Sequence, residues 1–100
     1  MTFSNKTHML KPETLEYLQK VAKDFGVKKL ILFGSCLHKP EDEARDIDLA
    51  IEGIEGDFYQ FGGKLMMSLN KLVDVVDLSW KAPINVYILS EGVVIYEERG

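Results

Sequence analysis

The chain has 100 residues, of which 46% are hydrophobic, with one cysteine and a formal net charge of −4. These values predict one soluble domain over residues 1–100, expected in the cytoplasm. They exclude an internal disulfide bond, and the chain lacks the run of about 20 apolar residues that a membrane span needs. The acidic charge also argues against strong binding to nucleic acid, which depends largely on lysine and arginine.

The first half of the chain predicts one helix followed by two strands. Residues 1–10 have no hydrophobic period and are expected to form a loose arm or a short lead-in to the first helix. Apolar residues recur at helical spacing over 12–25, and Gly26 is a suitable C-terminal stop. Residues 27–33 and 46–51 form apolar runs of strand length, and the first ends in a continuous run that is typical of a strand covered on both faces.

The second half predicts a helix, a strand, a helix and a strand. The first of these helices contains Gly62 and Gly63, which lower its stability by up to about 1 kcal/mol each relative to alanine. We therefore expect this helix, which begins its apolar period at Phe58, to start late or to bend. The later elements are predicted over 72–78, 84–90 and 93–96. The order indicates an α/β fold, a mixed sheet with helices packed mainly on one face.

Asp46 and Asp48 are the first candidates for a functional site. Side chains two residues apart on a strand face the same side, so these carboxylates are expected to lie together at a spacing that suits a divalent cation. The alternative is a solvated edge strand whose charges resist aggregation. The apolar residues Ile47 and Leu49 favour a central strand and therefore the cation.

Gly34 and Ser35 end the first predicted strand. Gly34 allows a close backbone approach that a side chain would block. Ser35 is expected to cap a short helix that runs to His38 and presents N–H groups to a phosphate. A simple turn is the alternative for this pair.

Gly34-Ser35, ten further residues and then Asp46-x-Asp48 resemble the signature of the DNA polymerase β-type nucleotidyltransferase superfamily. By its length, the chain is similar to the minimal nucleotidyltransferases (MNT), antitoxins that are often paired with HEPN-domain proteins. The resemblance implies a single-domain nucleotidyltransferase fold and ATP or another NTP as substrate. It also implies two Mg²⁺ ions held by Asp46, Asp48 and a third carboxylate, with Gly34 and Ser35 binding the nucleotide. The implied reaction is transfer of AMP to a hydroxyl group on a HEPN-type partner. The resemblance also allows the working unit to be a hetero-oligomer of the two proteins.

Two residues compete for the third carboxylate, Asp74 and Asp77. They are three apart, so on one regular strand they face opposite sides and only one can join the first pair. The run 73–76, in which Asp74 follows one valine and precedes two more, resembles the family pattern. Asp74 is therefore predicted as the third catalytic and metal-binding carboxylate, and Asp77 is the alternative.

The loop between the two halves of the motif departs from the family pattern. Cys36 and Arg45 occupy positions that are commonly arginine and serine, respectively. Lys39 or Arg45 could supply positive charge to a triphosphate, although solvation of the surface is the other role for each. Two further functions remain open: a binding module that neutralises a partner without turnover, and a nucleotidyltransferase that acts on a small molecule.

Overall fold

A computed structural model describes residues 9–98. Within this range the chain forms the predicted order of helices and strands. The elements are α1 (Pro12–Asp24), β1 (Lys29–Phe33), β2 (Asp46–Glu52), α2 (Phe58–Leu69), β3 (Leu72–Asp77), α3 (Ile84–Glu91) and β4 (Val93–Glu97). Two short 3₁₀ turns, Gly34–Leu37 and Glu41–Glu43, lie between β1 and β2. None of the helices in the described range has the length and apolar character needed to cross a membrane.

The four strands form one mixed sheet in the order β3-β2-β1-β4. β1 is antiparallel to both β2 and β4, and β2 is parallel to β3. β2 is therefore an interior strand, and the interpretation of its aspartates as charges on a solvated edge strand is wrong. The α/β fold class is confirmed.

Alternation along the strands divides the core between the two faces of the sheet. α1 and α2 pack on the face that carries Leu32 and Leu49, whereas α3 packs through Ile88 on the face that carries Ile31 and Ala50. Two of the three helices in the described range thus share a face, as predicted. Because the side chains of β2 alternate, the face that carries Ala50 also carries the predicted site.

The starts of two elements differ from the sequence-based expectation. β1 begins at Lys29, because the N–H of Val27 donates to the carbonyl of Ala22 and closes the end of α1. α2 begins at Phe58, so the expected late start is wrong. The Asp57 side chain accepts a hydrogen bond of 2.9 Å from the N–H of Gln60 and caps the first turn, which offsets the low helix propensity of the two glycines.

The predicted N-terminal arm lies mostly outside the described residues, which begin at Met9. The N–H of Met9 donates to the carbonyl of Cys36 at 2.8 Å, and its carbonyl accepts from the N–H of Glu41 at 3.2 Å. Leu10 is buried in the main core. Met9 is thus held by its backbone and Leu10 by burial, so these two residues form a lead-in to α1 and not a loose arm.

Candidate active site

Three carboxylates meet on the face of the sheet that α3 shares. Asp46, Asp48 and Asp74 each place one carboxylate oxygen within 4.8 Å of the others. Asp46 and Asp48 are two apart on β2, and Asp48 is directly paired with Asp74 in the parallel β2–β3 ladder. Strand alternation and register together therefore account for this carboxylate cluster.

Asp77 does not belong to the carboxylate cluster. It pairs with Ile51 at the far end of the ladder, and its carboxylate accepts a hydrogen bond of 2.9 Å from the N–H of Ser79. This contact stabilises the turn after β3. Of the two candidates from the sequence, the structure brings only Asp74 to the pair on β2.

The electrostatics of the carboxylate cluster favour a bound cation. Burial raises the pKa of Asp48, and the nearby charges of Asp74 and Asp46 raise it further. In octahedral Mg²⁺ sites the oxygens lie about 2.1 Å from the ion, so opposite ligands are about 4.2 Å apart. A set of three oxygens within 4.8 Å can reach such an ion with small side-chain rotations. The donor set, which consists only of hard oxygen ligands, fits Mg²⁺.

Gly34 lies directly against the Asp48 carboxylate. Its φ of +79° is in the left-handed region, and a Cβ at this position would lie 2.9 Å from Cγ of Asp48 and would overlap its Oδ2. Only glycine combines this backbone conformation with this close approach. The sequence-based interpretation of Gly34 as a point of close backbone approach is confirmed by this geometry.

Ser35 does not cap a helix, so that expectation is wrong. The 3₁₀ turn begins at Gly34, Phe33 occupies the N-cap position, and no side chain makes a capping hydrogen bond. Because the turn starts one residue earlier than expected, Ser35 lies inside it. Ser35 is half-buried, and it follows Gly34, which lies against the Asp48 carboxylate.

The loop before Asp46 contains a buried thiol. Cys36 is fully buried, its Sγ lies 3.8 Å from the Asp46 carbonyl oxygen, and burial raises the pKa of the thiol. Cys36 thus serves as a core residue where the family commonly has arginine. Lys39 and Arg45 are exposed.

Sequence reasoning missed two charged residues in this region, Glu41 and Lys71. Glu41 is only 9% exposed, and Lys71 donates to the backbone of the same loop. A glutamate in a run of charged residues indicates a solvated loop, and a lysine next to a strand indicates a surface. Only the tertiary contacts reveal that Glu41 is buried and that the Lys71 ammonium is hydrogen-bonded to the loop.

α3 lies on the same face of the sheet as the carboxylate cluster. The rings of Tyr87 and Phe33 are 6.4 Å apart, and Phe33 pairs with Asp48 in the β1–β2 ladder. α3 has no charged residue before Glu91, yet Val86 is 74% exposed and Leu89 is 66% exposed. α3 therefore presents an exposed apolar surface, which we call the α3 surface and define by Val86 and Leu89, on the side of the sheet that carries the carboxylate cluster.

Comparisons with known proteins are consistent with this geometry. Residues 16–99 match the protein family described as Polymerase beta, Nucleotidyltransferase. Among solved structures, the chain is similar to a chain of the MntA-HepT toxin-antitoxin, with 20% identity and a TM-score of 0.67 over 88% of this chain and 74% of that chain. Among curated proteins, none is significantly similar in sequence.

Two further solved structures have the same fold. One is the tri-AMPylated Shewanella oneidensis HEPN toxin in complex with MNT antitoxin, with 22% identity and a TM-score of 0.66 over 86% of this chain and 71% of the matched chain. The other is a toxin-antitoxin with AMP-PNP, with 22% identity and a TM-score of 0.66 over 85% of this chain and 74% of the matched chain. At these identities the likeness establishes the fold.

Proposed function

Because the chain belongs to the polymerase beta nucleotidyltransferase family, we propose that it transfers AMP from ATP, with Mg²⁺, to a hydroxyl group on a HEPN-type protein partner. The observation that carries this proposal is the carboxylate cluster of Asp46, Asp48 and Asp74 beside Gly34. Mg²⁺, when bound there, supplies positive charge that stabilises the attacking and leaving oxygens of an in-line displacement.

The residues of the chain have separate roles in this reaction. The oxygen of the acceptor hydroxyl forms a bond to the α-phosphorus of ATP, and the bond from that phosphorus to the pyrophosphate oxygen breaks. Asp74 is exposed whereas Asp46 and Asp48 are half-buried, so the Asp74 carboxylate is the one open to the acceptor and takes its proton. Gly34 and Ser35 hold the phosphates through the backbone of their turn.

A protein acceptor is supported by the α3 surface. Val86 and Leu89 expose apolar side chains on α3, the helix that packs through Ile88 against the face of the sheet that carries the carboxylate cluster. An exposed apolar patch beside a site is typical of a surface that another protein covers. A similar fold occurs in the structure of an MNT antitoxin in complex with a tri-AMPylated HEPN toxin, which supports a partner of that class.

The α3 surface also supports a second function, in which the chain neutralises its partner by binding alone. The two functions differ in whether the partner becomes modified. The third candidate function is transfer to a small molecule. In that case the protein partner is neither modified nor required for binding.

The test is incubation of the purified chain with Mg²⁺ and ATP, with and without the protein encoded beside it, followed by intact-mass analysis of both. We expect the partner to gain one or more AMP units, and we expect the gain to disappear with Asp46→Asn. Asp77→Asn is the matched control, because Asp77 lies outside the carboxylate cluster. An unmodified partner in a stable complex would replace this proposal with the binding module.

A further inference from the structure

Besides the backbone hydrogen bond from the Glu41 N–H to the Met9 carbonyl, side chains attach the segment Glu41–Ala44, which leads into β2, to the rest of the domain at two points. One point is the N-terminus of α1, and the other is the start of β3. Both attachments use charged side chains rather than strand pairing.

The first attachment is the Glu41 carboxylate. Its Oε1 accepts from the N–H of Lys11 at 2.9 Å, and its Oε2 accepts from the hydroxyl of Thr14 at 2.8 Å. Lys11 is the N-cap residue of α1 and makes no side-chain capping bond itself. Glu41 therefore supplies a cap to α1 from a distant part of the chain, where a negative charge also interacts favourably with the helix dipole.

The second attachment is the Lys71 ammonium. It donates to the carbonyl of Glu41 at 2.8 Å and to the carbonyl of Ala44 at 2.9 Å. Lys71 immediately precedes Leu72, which is the ladder partner of Asp46. The ammonium therefore connects the residues just before β2 with the residue just before β3. This connection lies beyond the last backbone pair of the β2–β3 ladder.

The strand ladders hold Asp46 less fully than they hold Asp48. The β1–β2 ladder reaches only from Glu52 to Asp48, so within the sheet Asp46 is paired on the β3 side alone. Asp48, in contrast, is paired with Phe33 on one side and Asp74 on the other. Asp74 lies on the edge strand β3 and is also paired on one side alone, but it is an interior residue of that strand, whereas Asp46 is the first residue of β2. The backbone of Asp46 is therefore the one that the attachment through Lys71 can support most directly.

We propose that Lys71 is a positioning residue that holds the start of β2, and with it the Asp46 carboxylate, at its place relative to Asp74. The inference rests on the proposed function, because it concerns the residues that would bind Mg²⁺. If the Lys71 ammonium is removed, water can hydrogen-bond the two carbonyl groups, so the fold survives. The Asp46 carboxylate then occupies a wider range of positions. The effect then falls on cation affinity.

Electrostatics alone predicts the opposite sign, which makes the inference testable. Lys71 carries a positive charge next to the segment that leads into β2, and removal of a positive charge strengthens the attraction of the carboxylate cluster for a cation. A positioning role requires instead that Lys71→Met weaken cation binding. A residue with a purely structural role would lower the thermal midpoint without changing the affinity of the folded protein.

The experiment measures Mn²⁺ binding to the nucleotide-free chain by electron paramagnetic resonance, with circular dichroism to verify folding. We expect Lys71→Met to weaken Mn²⁺ binding about tenfold and Lys71→Arg, which keeps the charge and the donors, to restore most of the affinity. Lys64→Met is the matched control, since Lys64 is exposed on α2. If Lys71→Met does not fold, Lys71→Gln, which keeps an amide donor, replaces it in the comparison.

Each outcome separates this inference from the proposed function. Equal or tighter Mn²⁺ binding by folded Lys71→Met overturns the role of Lys71 and leaves AMP transfer intact. A wild-type chain that binds Mn²⁺ but transfers no AMP contradicts the proposed function, while the comparison with Lys71→Met still decides the role of Lys71. A wild-type chain that binds no Mn²⁺ overturns both.

Discussion

Asp48 and Asp74 lie directly opposite each other in the parallel ladder between β2 and β3. This pairing places two carboxylates side by side on an interior strand and its neighbour, where their charges repel each other unless a cation lies between them. Such an arrangement is costly for the fold alone. The pairing is therefore the feature on which the proposed chemistry depends.

Asparagine substitution within the carboxylate cluster is expected to abolish AMP transfer. Asp48→Asn and Asp74→Asn each remove a charge without changing the size of the side chain, and we expect transfer to fall at least about 100-fold, the scale for loss of one group that stabilises transition-state charge. The measurement is the rate of partner modification by intact mass. Asp77→Asn should retain the wild-type rate; a loss as large as that of Asp74→Asn would contradict the assignment.

The metal-free chain is expected to become more stable when Asp48 loses its charge. Because the pKa of Asp48 is raised in the folded state, by burial first and then by Asp74 and Asp46, its ionised form destabilises the fold. Stability is therefore lost as pH rises from the ordinary aspartate pKa, near 4, through the raised value. We expect Asp48→Asn to raise the thermal midpoint by a few degrees at pH 7 and to have little effect below pH 4.

Mg²⁺ supplies the control for this prediction. A bound cation removes the repulsion, so Mg²⁺ should raise the thermal midpoint of the wild-type chain and have a much smaller effect on Asp48→Asn. Equal midpoints of the two metal-free proteins at pH 7 would show that the carboxylates do not oppose folding.

Gly34→Ala is expected to damage both stability and activity. At a φ of +79° any side chain is strained, and the added Cβ overlaps the Asp48 carboxylate. We expect a loss of about 1–3 kcal/mol in the free energy of unfolding, measured with urea, and a large loss of transfer. Gly63→Ala is the matched control, because a Cβ there meets nothing within 4 Å; it should stabilise the helix by up to about 1 kcal/mol. Wild-type behaviour of Gly34→Ala would be evidence against the close approach.

A charge introduced on the α3 surface is expected to weaken binding of the partner without changing cation binding by the carboxylate cluster. Val86→Glu or Leu89→Glu would place an unpaired charge in an apolar interface, and we expect at least tenfold weaker binding of the HEPN-type protein by calorimetry. Mn²⁺ binding should remain unchanged. Met67→Glu is the control, since Met67 is 85% exposed on α2, on the opposite face of the sheet. Full affinity in both α3 variants would mean that the partner binds elsewhere.

Much of the fold and most of the site followed from local patterns in the sequence. Strand periodicity was enough to bring Asp46 and Asp48 to one face and to exclude one of Asp74 and Asp77, because side chains alternate regardless of what surrounds the strand. Gly34 could be interpreted correctly because the aspartate pair that follows favoured a close backbone approach over a simple turn. The order of the helices and strands followed in the same way from hydrophobic spacing.

The tertiary structure alone decided how the charged loop is held and which of its residues are buried. Glu41 caps a helix about 30 residues away, and Lys71 connects the segment before β2 to the start of β3. No local sequence pattern reveals either contact. Cys36 is buried for the same reason, because its burial depends on elements distant in the chain that cover it. Local propensity determines which element a residue joins, whereas the partner of a charged side chain depends on contacts between distant segments.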